Sequence, residues 1–349
     1  MAAVLAPGRR NFEAAHSRVS DLQHFVNTHP TMGARVSRSC NHAAGVLEAQ
    51  LARTVCAGIP FCLSRWVSRA LVHLRRAGAH GDASELFGAL RPFLPWPSSW
   101  QSPPLQVRGV RSHAVWHEQL LADSGGSAAR IAGILRETFP RIREDLGRVR
   151  AATWPAAYPR LLAIMDAPEN WTSTRLFNGD DLPGPVLGVS YTERTFHPLV
   201  CKDWAPHTCA ALAGELPGVR DPTLPYLQAD QEQVQFLRLA PGSRGEFHTS
   251  ASNARLTLHL CLAGCGGMSY LQVGPSMLRW REGEVLVFDD SFQHRFRIDQ
   301  RGERWILHVM VTHPDLESRE AVWRKVRSGD IFSDVAMLQL SGADGGSLR

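Results

Sequence analysis

Hydrophobic positions change their period along the chain. Between residues 42 and 92 they recur at a helical spacing: in FCLSRWVSRALVHLRR, Phe61, Leu63, Trp66, Val67, Ala70, Leu71 and Leu74 fall on one stripe, and Gly78 follows as a stop. A second helix is predicted from Asp82 or Ser84, carrying Leu86, Phe87 and Leu90, so that the two form a helical hairpin. No second copy occurs at a fixed period, which argues against a repeat array. The stretch PFLPWPSSWQSPP over 92–104 holds five prolines and reads as a linker. Residues 127–150 are again helical, with Pro140 either kinking one helix or opening a second.

Beyond about residue 185 the period becomes two. VQFLRL (234–239), ARLTLHLCL (254–262), MSYLQV (268–273), EVLVFDD (284–290), HRFRI (294–298) and RWILHVMV (304–311) read as short strands separated by turn residues. Strands at this spacing predict a small sandwich or barrel closed on itself. The glycines at 264–267 read as a hairpin loop rather than a phosphate cradle, because no helix pattern follows them.

Composition narrows the functional classes. In 349 residues, 44% are hydrophobic and 20% charged, ordinary globular proportions, and no window approaches the ~18 apolar residues of a membrane span. The net charge of +5 is unevenly placed: residues 1–80 hold ten arginines against Glu13, Asp21 and Glu48, and the rest of the chain is slightly acidic. The bulk of the protein therefore lacks the electrostatic footprint of a nucleic-acid binder. The seven cysteines contain no zinc-type CxxC pair; Cys201 and Cys209 lie close in CKDWAPHTC, a loop-like stretch, as either a bridge or two small buried hydrophobes. The first twenty residues have a weak transit-peptide character and no secretory apolar run, consistent with a soluble protein of the cytoplasm or an organelle.

Alternation also sorts the polar residues. In ARLTLHLCL the leucines at 256, 258, 260 and 262 share one face, leaving Arg255, Thr257 and His259 on the other. A polar strand face in a β-rich core needs partners, so it normally lines a wet cavity. Arg304 and His308 share a face of RWILHVMV, and His294 shares one with Phe296 and Ile298. His248 and His294, 46 residues apart, are a candidate pair of ligands for a divalent metal such as iron, and Arg304, ten residues later, is a candidate carboxylate clamp. The common His-x-Asp/Glu facial triad is incomplete, because His248-Thr249-Ser250 puts a serine where the carboxylate belongs. From spacing alone, a metal site and scattered polar residues in a β-domain both remain open.

The motifs FHTSASNARLTLHLCL, GEVLVFDDSFQHRF and RWILHVMVTHPDL, in this order, resemble the aspartyl/asparaginyl β-hydroxylase family of iron and 2-oxoglutarate oxygenases. Weaker similarity takes in VRGVRSHAVW (107–116), ENWTS (169–173) and WAPHTCAALAGELP (204–217). The resemblance implies a mostly β catalytic core with flanking helices, a double-stranded β-helix of the jelly-roll or cupin-like kind. It covers about residues 105–320 and leaves the first hundred unexplained; taken with the charge, helical period and prolines before it, three parts are expected: a basic, helical N-terminal segment and proline-rich linker (1–104), the oxygenase domain (105–325) and a C-terminal tail (326–349).

It also implies Fe(II), 2-oxoglutarate and O2, with His248 and His294 as metal ligands, His259, Arg304 and Trp171 at the 2-oxoglutarate pocket, and Ser250 at the position left without a carboxylate. Arg255, Thr257, His308 and Asp290 are expected near substrate or behind the ligands. Asp289 and Asp290 are expected to bond the loop backbone, Asn253 to shape the turn before its strand, and His313 to end the last strand. Leu237 and Thr257 depart from the pattern, standing where better-known members have a serine and an arginine, and the Cys201/Cys209 pair sits where those members have cysteines that form a disulfide. The implied reaction is hydroxylation of the β-carbon of Asp or Asn residues in a protein substrate. The alternatives are a small molecule or lipid acyl chain as target, or a non-catalytic β-barrel binding module.

Overall fold

The computed structural model describes residues 34–55, 60–151, 171–178, 194–196, 198–228, 230–300 and 302–332. The transit-like N-terminus lies outside them. Among the described residues no helix is long and apolar enough to cross a membrane.

The period-two segments become strands that alternate between two antiparallel sheets. The larger sheet contains β2 (Trp171–Asn178), β3 (Gln233–Leu239), β10 (Arg304–Thr312), β5 (Arg255–Ala263) and β8 (Val285–Phe288), adjacent in that order. The smaller has the order β4 (Arg244–His248), β9 (His294–Arg297), β6 (Tyr270–Val273) and β7 (Ser276–Leu278). From β3 onward the chain passes from one sheet to the other and back, which is the winding of a double-stranded β-helix. Three of these strands are absent from the hydrophobic pattern: RGEFH of β4 is charged and glycine-bearing, SML of β7 is only three residues long, and WTSTRLFN of β2 carries a register shift between Arg175 and Phe177.

The larger sheet is buried on both faces. Outside it, Leu256, Leu258, Leu260 and Leu262 of β5 and Trp305, Leu307, Val309 and Val311 of β10 pack with Ile131, Leu135, Ile142, Leu146 and Val149. Those last residues come from α5 (Ser127–Glu137) and α6 (Phe139–Ala151), so Pro140 opens a second helix rather than kinking one. Each fully buried leucine contributes about 1.5–3 kcal/mol, which makes this helix-backed face a main support of the barrel. Inside, Leu237, Cys261, Leu271, Val273, Trp280, Phe288, Phe296, Ile298 and Ile306 form a second apolar cluster.

Two segments differ from the sequence reading. The stretch around CKDWAPHTC is not a loop but two short helices, α7 (Pro198–Asp203) and α8 (Pro206–Leu212), joined by a Cys201–Cys209 disulfide with Cα atoms 5.6 Å apart. Proline at the start of each sets φ for a first helical turn, which is how a proline-bearing segment becomes helical. The expected tail does not begin at 326: α10 (Arg319–Arg327) crosses that point, and β11 (Ile331–Phe332) pairs with β1 (Gln106–Val107). Backbone pairing and Ile331 burial draw the chain as far as Phe332 into the core.

The helical hairpin, α2 (Pro60–Arg76) and α3 (His80–Leu90), has its own core of Trp66, Val67, Leu71, Leu74, Leu86, Phe87 and Trp96 and packs with α1 (Ala34–Val55). It is also seated on the barrel, since Arg76 Nε donates to the Phe247 carbonyl at 2.8 Å. The proline-rich stretch is no free tether either: Gln101 bridges to Phe292 and is fully buried.

Gly264, in the loop after β5, has φ +68°, and a Cβ there would lie 1.9 Å from the Glu303 carbonyl oxygen. Left-handed backbone and backbone collision act together, and strain of that kind costs ~1–3 kcal/mol before the clash is counted. Gly264→Ala is expected to lower stability by at least that amount, seen as a drop in the melting temperature by circular dichroism; an unchanged melting temperature would contradict the loop geometry.

Candidate functional site

His248 ends β4 and His294 begins β9, and the two are direct cross-strand partners, which sets their rings 4.1 Å apart between centroids. Each ring is held in the same way. His248 Nδ1 lies 2.7 Å from the Glu246 carbonyl and His294 Nδ1 2.8 Å from the Phe292 carbonyl. A carbonyl only accepts, so both Nδ1 atoms carry hydrogen and both Nε2 lone pairs are left for a metal. Burial, reinforced by the neighbouring His294 ring, holds His248 well below the ordinary histidine value. Burial also lowers His294, against the pull of the Asp290 carboxylate. Neutral imidazole is the form that binds a metal.

Among the described residues no group of three or more His, Cys, Asp or Glu converges in the manner of a complete ligand set. Ser250 bonds the Ser252 carbonyl through its hydroxyl at 2.7 Å and the Asp290 carbonyl through its N–H at 2.8 Å. The loop before His294 is fixed from the proline-rich stretch. Gln101 Nε2 donates to Asp289 Oδ2 (3.1 Å) and Ser291 Oγ (2.8 Å), the Gln293 N–H donates to the Trp100 carbonyl (2.6 Å), and Gln293 Nε2 to Ser102 Oγ (3.1 Å). Nothing in the local sequence marks Gln101, because the groups its amide nitrogen meets are 188 and 190 residues away.

The two adjacent aspartates have different work. Asp289 accepts from the Ser291 N–H at 2.9 Å, as expected, and burial pushes its carboxyl up to about 7. Asp290 does not bond the loop backbone through its side chain; it takes Arg255 Nε at 3.0 Å, Arg255 Nη2 at 2.7 Å and Thr257 Oγ1 at 3.1 Å. Burial opposes ionisation of Asp290, but Arg255 outweighs it and the carboxyl stays below its usual range. Arg255 is thereby committed and also donates to the Asp230 carbonyl, so it does not stand as a free cation in place of the arginine missing at Thr257. Asn253 does more than shape a turn: its Oδ1 takes the Val107 N–H and its Nδ2 donates to the Val107 carbonyl, clasping β1. His313 ends β10, with its ring accepting from the Asp315 N–H.

Deeper in the barrel, Arg304 is almost fully buried. Its Nε and Nη2 donate to the Gly264 carbonyl, Nη2 also to the Gly266 carbonyl, and its guanidinium lies 4.6 Å from the Trp280 ring centroid. Nη1 is buried without a hydrogen-bond partner. Burial lowers this arginine to about 10, which leaves it a cation at neutral pH. A disulfide between Cys261 and Cys265, which nothing in the residue pattern announced, spans the start of the same loop.

His259 and His308 are cross-strand partners, with His259 Nε2 2.8 Å from His308 Nδ1, while Trp280 Nε1 donates to His259 Nδ1 at 3.3 Å. Leu237 pairs with Ile306 and is buried in the interior apolar cluster. Trp171 begins β2 opposite Leu239; its side chain lies outside the described residues.

The family model described as aspartyl/asparaginyl beta-hydroxylase matches residues 136–314, just over half of the chain. The aspartyl/asparaginyl beta-hydroxylase of Mus musculus is 34% identical over 126 residues, 34% of this chain and 15% of that protein. Its Homo sapiens counterpart is 33% identical over the same shares. The aspartate beta-hydroxylase domain-containing protein 1 of Mus musculus is 24% identical over 73% of this chain and 61% of its own. The alignment thus spans only about a seventh of the first two relatives.

The Arg255–Asp290 pair is buried, so removing one partner strands a charge at a cost of ~3–5 kcal/mol. Arg255→Met is expected to lose stability on that scale at pH 8. With Arg255 present the Asp290 pKa lies below its unfolded value, so the pair's contribution is held above that value and lost as pH falls through the folded pKa. Without it, burial raises the pKa, and the variant regains stability as pH falls. The melting-temperature gap between wild type and variant should therefore narrow from pH 8 to pH 5; a constant gap would contradict an ionised Asp290.

Proposed function

The chain belongs to the aspartyl/asparaginyl β-hydroxylase family, and from that premise we propose that it is an Fe(II)- and 2-oxoglutarate-dependent dioxygenase that hydroxylates the β-carbon of Asp or Asn residues in a protein substrate. The observation that carries this reading is the facing pair of neutral imidazoles, His248 and His294, each with Nδ1 tied to a carbonyl and Nε2 left for metal. The donor set fits Fe(II), which imidazole nitrogen suits and which takes its remaining ligands from the co-substrate and water. Iron and 2-oxoglutarate together supply the oxidising power for inserting one atom of O2 into an unactivated C–H bond.

The chain's own residues bind, orient and shield. Arg304 is the candidate partner of the far carboxylate of 2-oxoglutarate, since it is a buried cation with an unpaired Nη1. Its two carbonyl contacts fix the plane of the guanidinium before any ligand arrives. Leu237 and Ile306 offer apolar surface for the co-substrate's methylenes, in keeping with their place in the interior cluster. Gln101 and the loop it grips keep His294 in register with His248. We assign the helical segment to 1–104 and the oxygenase domain to 105 onward, with the former seated on β4 through Arg76. One observation favours a second reading, a small molecule or lipid acyl chain as target: Thr257 is neutral and Arg255 is committed to Asp290, which weakens recognition of an acidic side chain.

Anaerobic titration of the purified protein with Fe(II) and 2-oxoglutarate tests the reading, because the chelate gives a visible charge-transfer band. Wild type should develop the band. His248→Ala and His294→Ala should lose it together with tight iron binding, as two protein ligands leave no spare. Arg304→Ala should retain iron but lose ~2–5 kcal/mol of 2-oxoglutarate affinity, the scale for truncating a buried charge partner. A wild-type protein that binds neither ligand would instead point to a non-catalytic binding module.

A further inference from the structure

Among the buried barrel nitrogens without a hydrogen-bond partner, His308 Nε2 is one whose hydrogen can be placed from its neighbours. Trp280 Nε1–H can only donate, so His259 Nδ1, 3.3 Å away, must accept. A neutral His259 then carries its hydrogen on Nε2, which faces His308 Nδ1 at 2.8 Å, so His308 Nδ1 accepts in turn. His308 must therefore hold its own hydrogen on Nε2. Both rings are neutral in this setting: burial, with the His308 ring alongside, keeps His259 well below the ordinary value, and burial, with Arg255 and His294 adding, brings His308 down to about 3. His308 is 8% exposed, and its Nε2 is buried with no hydrogen-bond partner. An orphaned buried donor costs ~1–3 kcal/mol, so such a group in a cavity is normally met by a ligand or an ordered water.

His308 stands on the inner face of β10 with Ile306 and Arg304; the strand sets the Cα atoms of His308 and Arg304 ~13 Å apart, but their side chains lean toward each other, the guanidinium over Trp280 and the His308 ring against His259, which stacks on Trp280. Charge or apolar character alternates along that line: cation at Arg304, Leu237 and Ile306 in the middle, N–H donor at His308. A dicarboxylate with a methylene centre matches the sequence. Arg304 takes one end, and the other falls beside His308, whose ring connects to His294 through the rings of His259 and Phe288. His259 has no free nitrogen for a ligand, since Trp280 and His308 occupy both.

Resting on the function proposed above, we propose that His308 Nε2–H is a positioning donor to the oxo-acid end of bound 2-oxoglutarate, with Trp280 and His259 serving to fix its tautomer. It replaces the donors absent at Leu237 and Thr257, and the contact expected of His259 passes one imidazole further along.

The test combines binding with proton position. Nitrogen-15 NMR of the ligand-free protein should show His308 protonated at Nε2 and His259 at Nε2. In anaerobic titrations of the Fe(II) protein, His308→Leu should weaken 2-oxoglutarate at least tenfold while iron affinity stays within threefold, and His308→Gln, which keeps an amide donor, should restore most of the loss. An Nδ1–H tautomer at His308, an unchanged affinity in His308→Leu, or equal losses in the Leu and Gln variants would each overturn the proposal and leave the oxygenase reading standing. Failure of the wild-type protein to take up 2-oxoglutarate would bring down both.

Discussion

Polar side chains on the inner face of β5 and β10 have been removed from water, and each must find a partner inside the barrel. Because the opposite face of those strands is leucine, tryptophan and valine packed on two helices, the strands cannot slip by one residue without exposing that face and burying charge against the helices. Register is thus fixed from outside, and the inner residues satisfy themselves at positions they did not choose. Arg255 takes Asp290, Arg304 takes the Gly264 and Gly266 carbonyls, and His259 takes His308 and Trp280. Each pairing orients a group and leaves Arg304 Nη1 and His308 Nε2 among the ends without a partner, so the search for partners also shapes the interior.

The same requirement explains why the segment before residue 105 belongs to the site. Asp289, Ser291 and Gln293 present polar groups at the turn into β9, and Gln101, Trp100 and Ser102 supply the complementary groups. Arg76 meets the Phe247 carbonyl on the strand that carries His248. The two strands that carry His248 and His294 are therefore braced from one side by residues 76–102.

Much of the barrel was legible in the residue pattern. Six strands follow from period-two alternation, and the division of β5 into a leucine face and an Arg255–Thr257–His259 face holds in the structure. What escaped had no periodic signal. The five residues of β4 include glycine and two charges and become a strand through pairing with β9 alone. Gln101 is a lone amide among prolines, and its importance comes from tertiary neighbours. The motif resemblance named His259, but only the cross-strand register reveals that His308 sits against it and that both nitrogens of His259 are taken. Adjacent Asp289 and Asp290 looked alike in the sequence; alternation of side-chain direction at the end of β8 sent one to the Gln101 strap and the other to Arg255.

His248 and His294 lie on paired strands, and β4 is the edge of its sheet, joined to β9 through a ladder that shifts between Gly245 and His248. An ion gripped by both imidazoles would tie that edge down at the point where backbone pairing is interrupted, and would close a loop of some forty-five residues that contains β5 through β8. Under the proposed function, metal affinity and edge closure would be two readings of one equilibrium: whatever loosened the edge would lower the affinity, and whatever filled the site would stiffen the sheet.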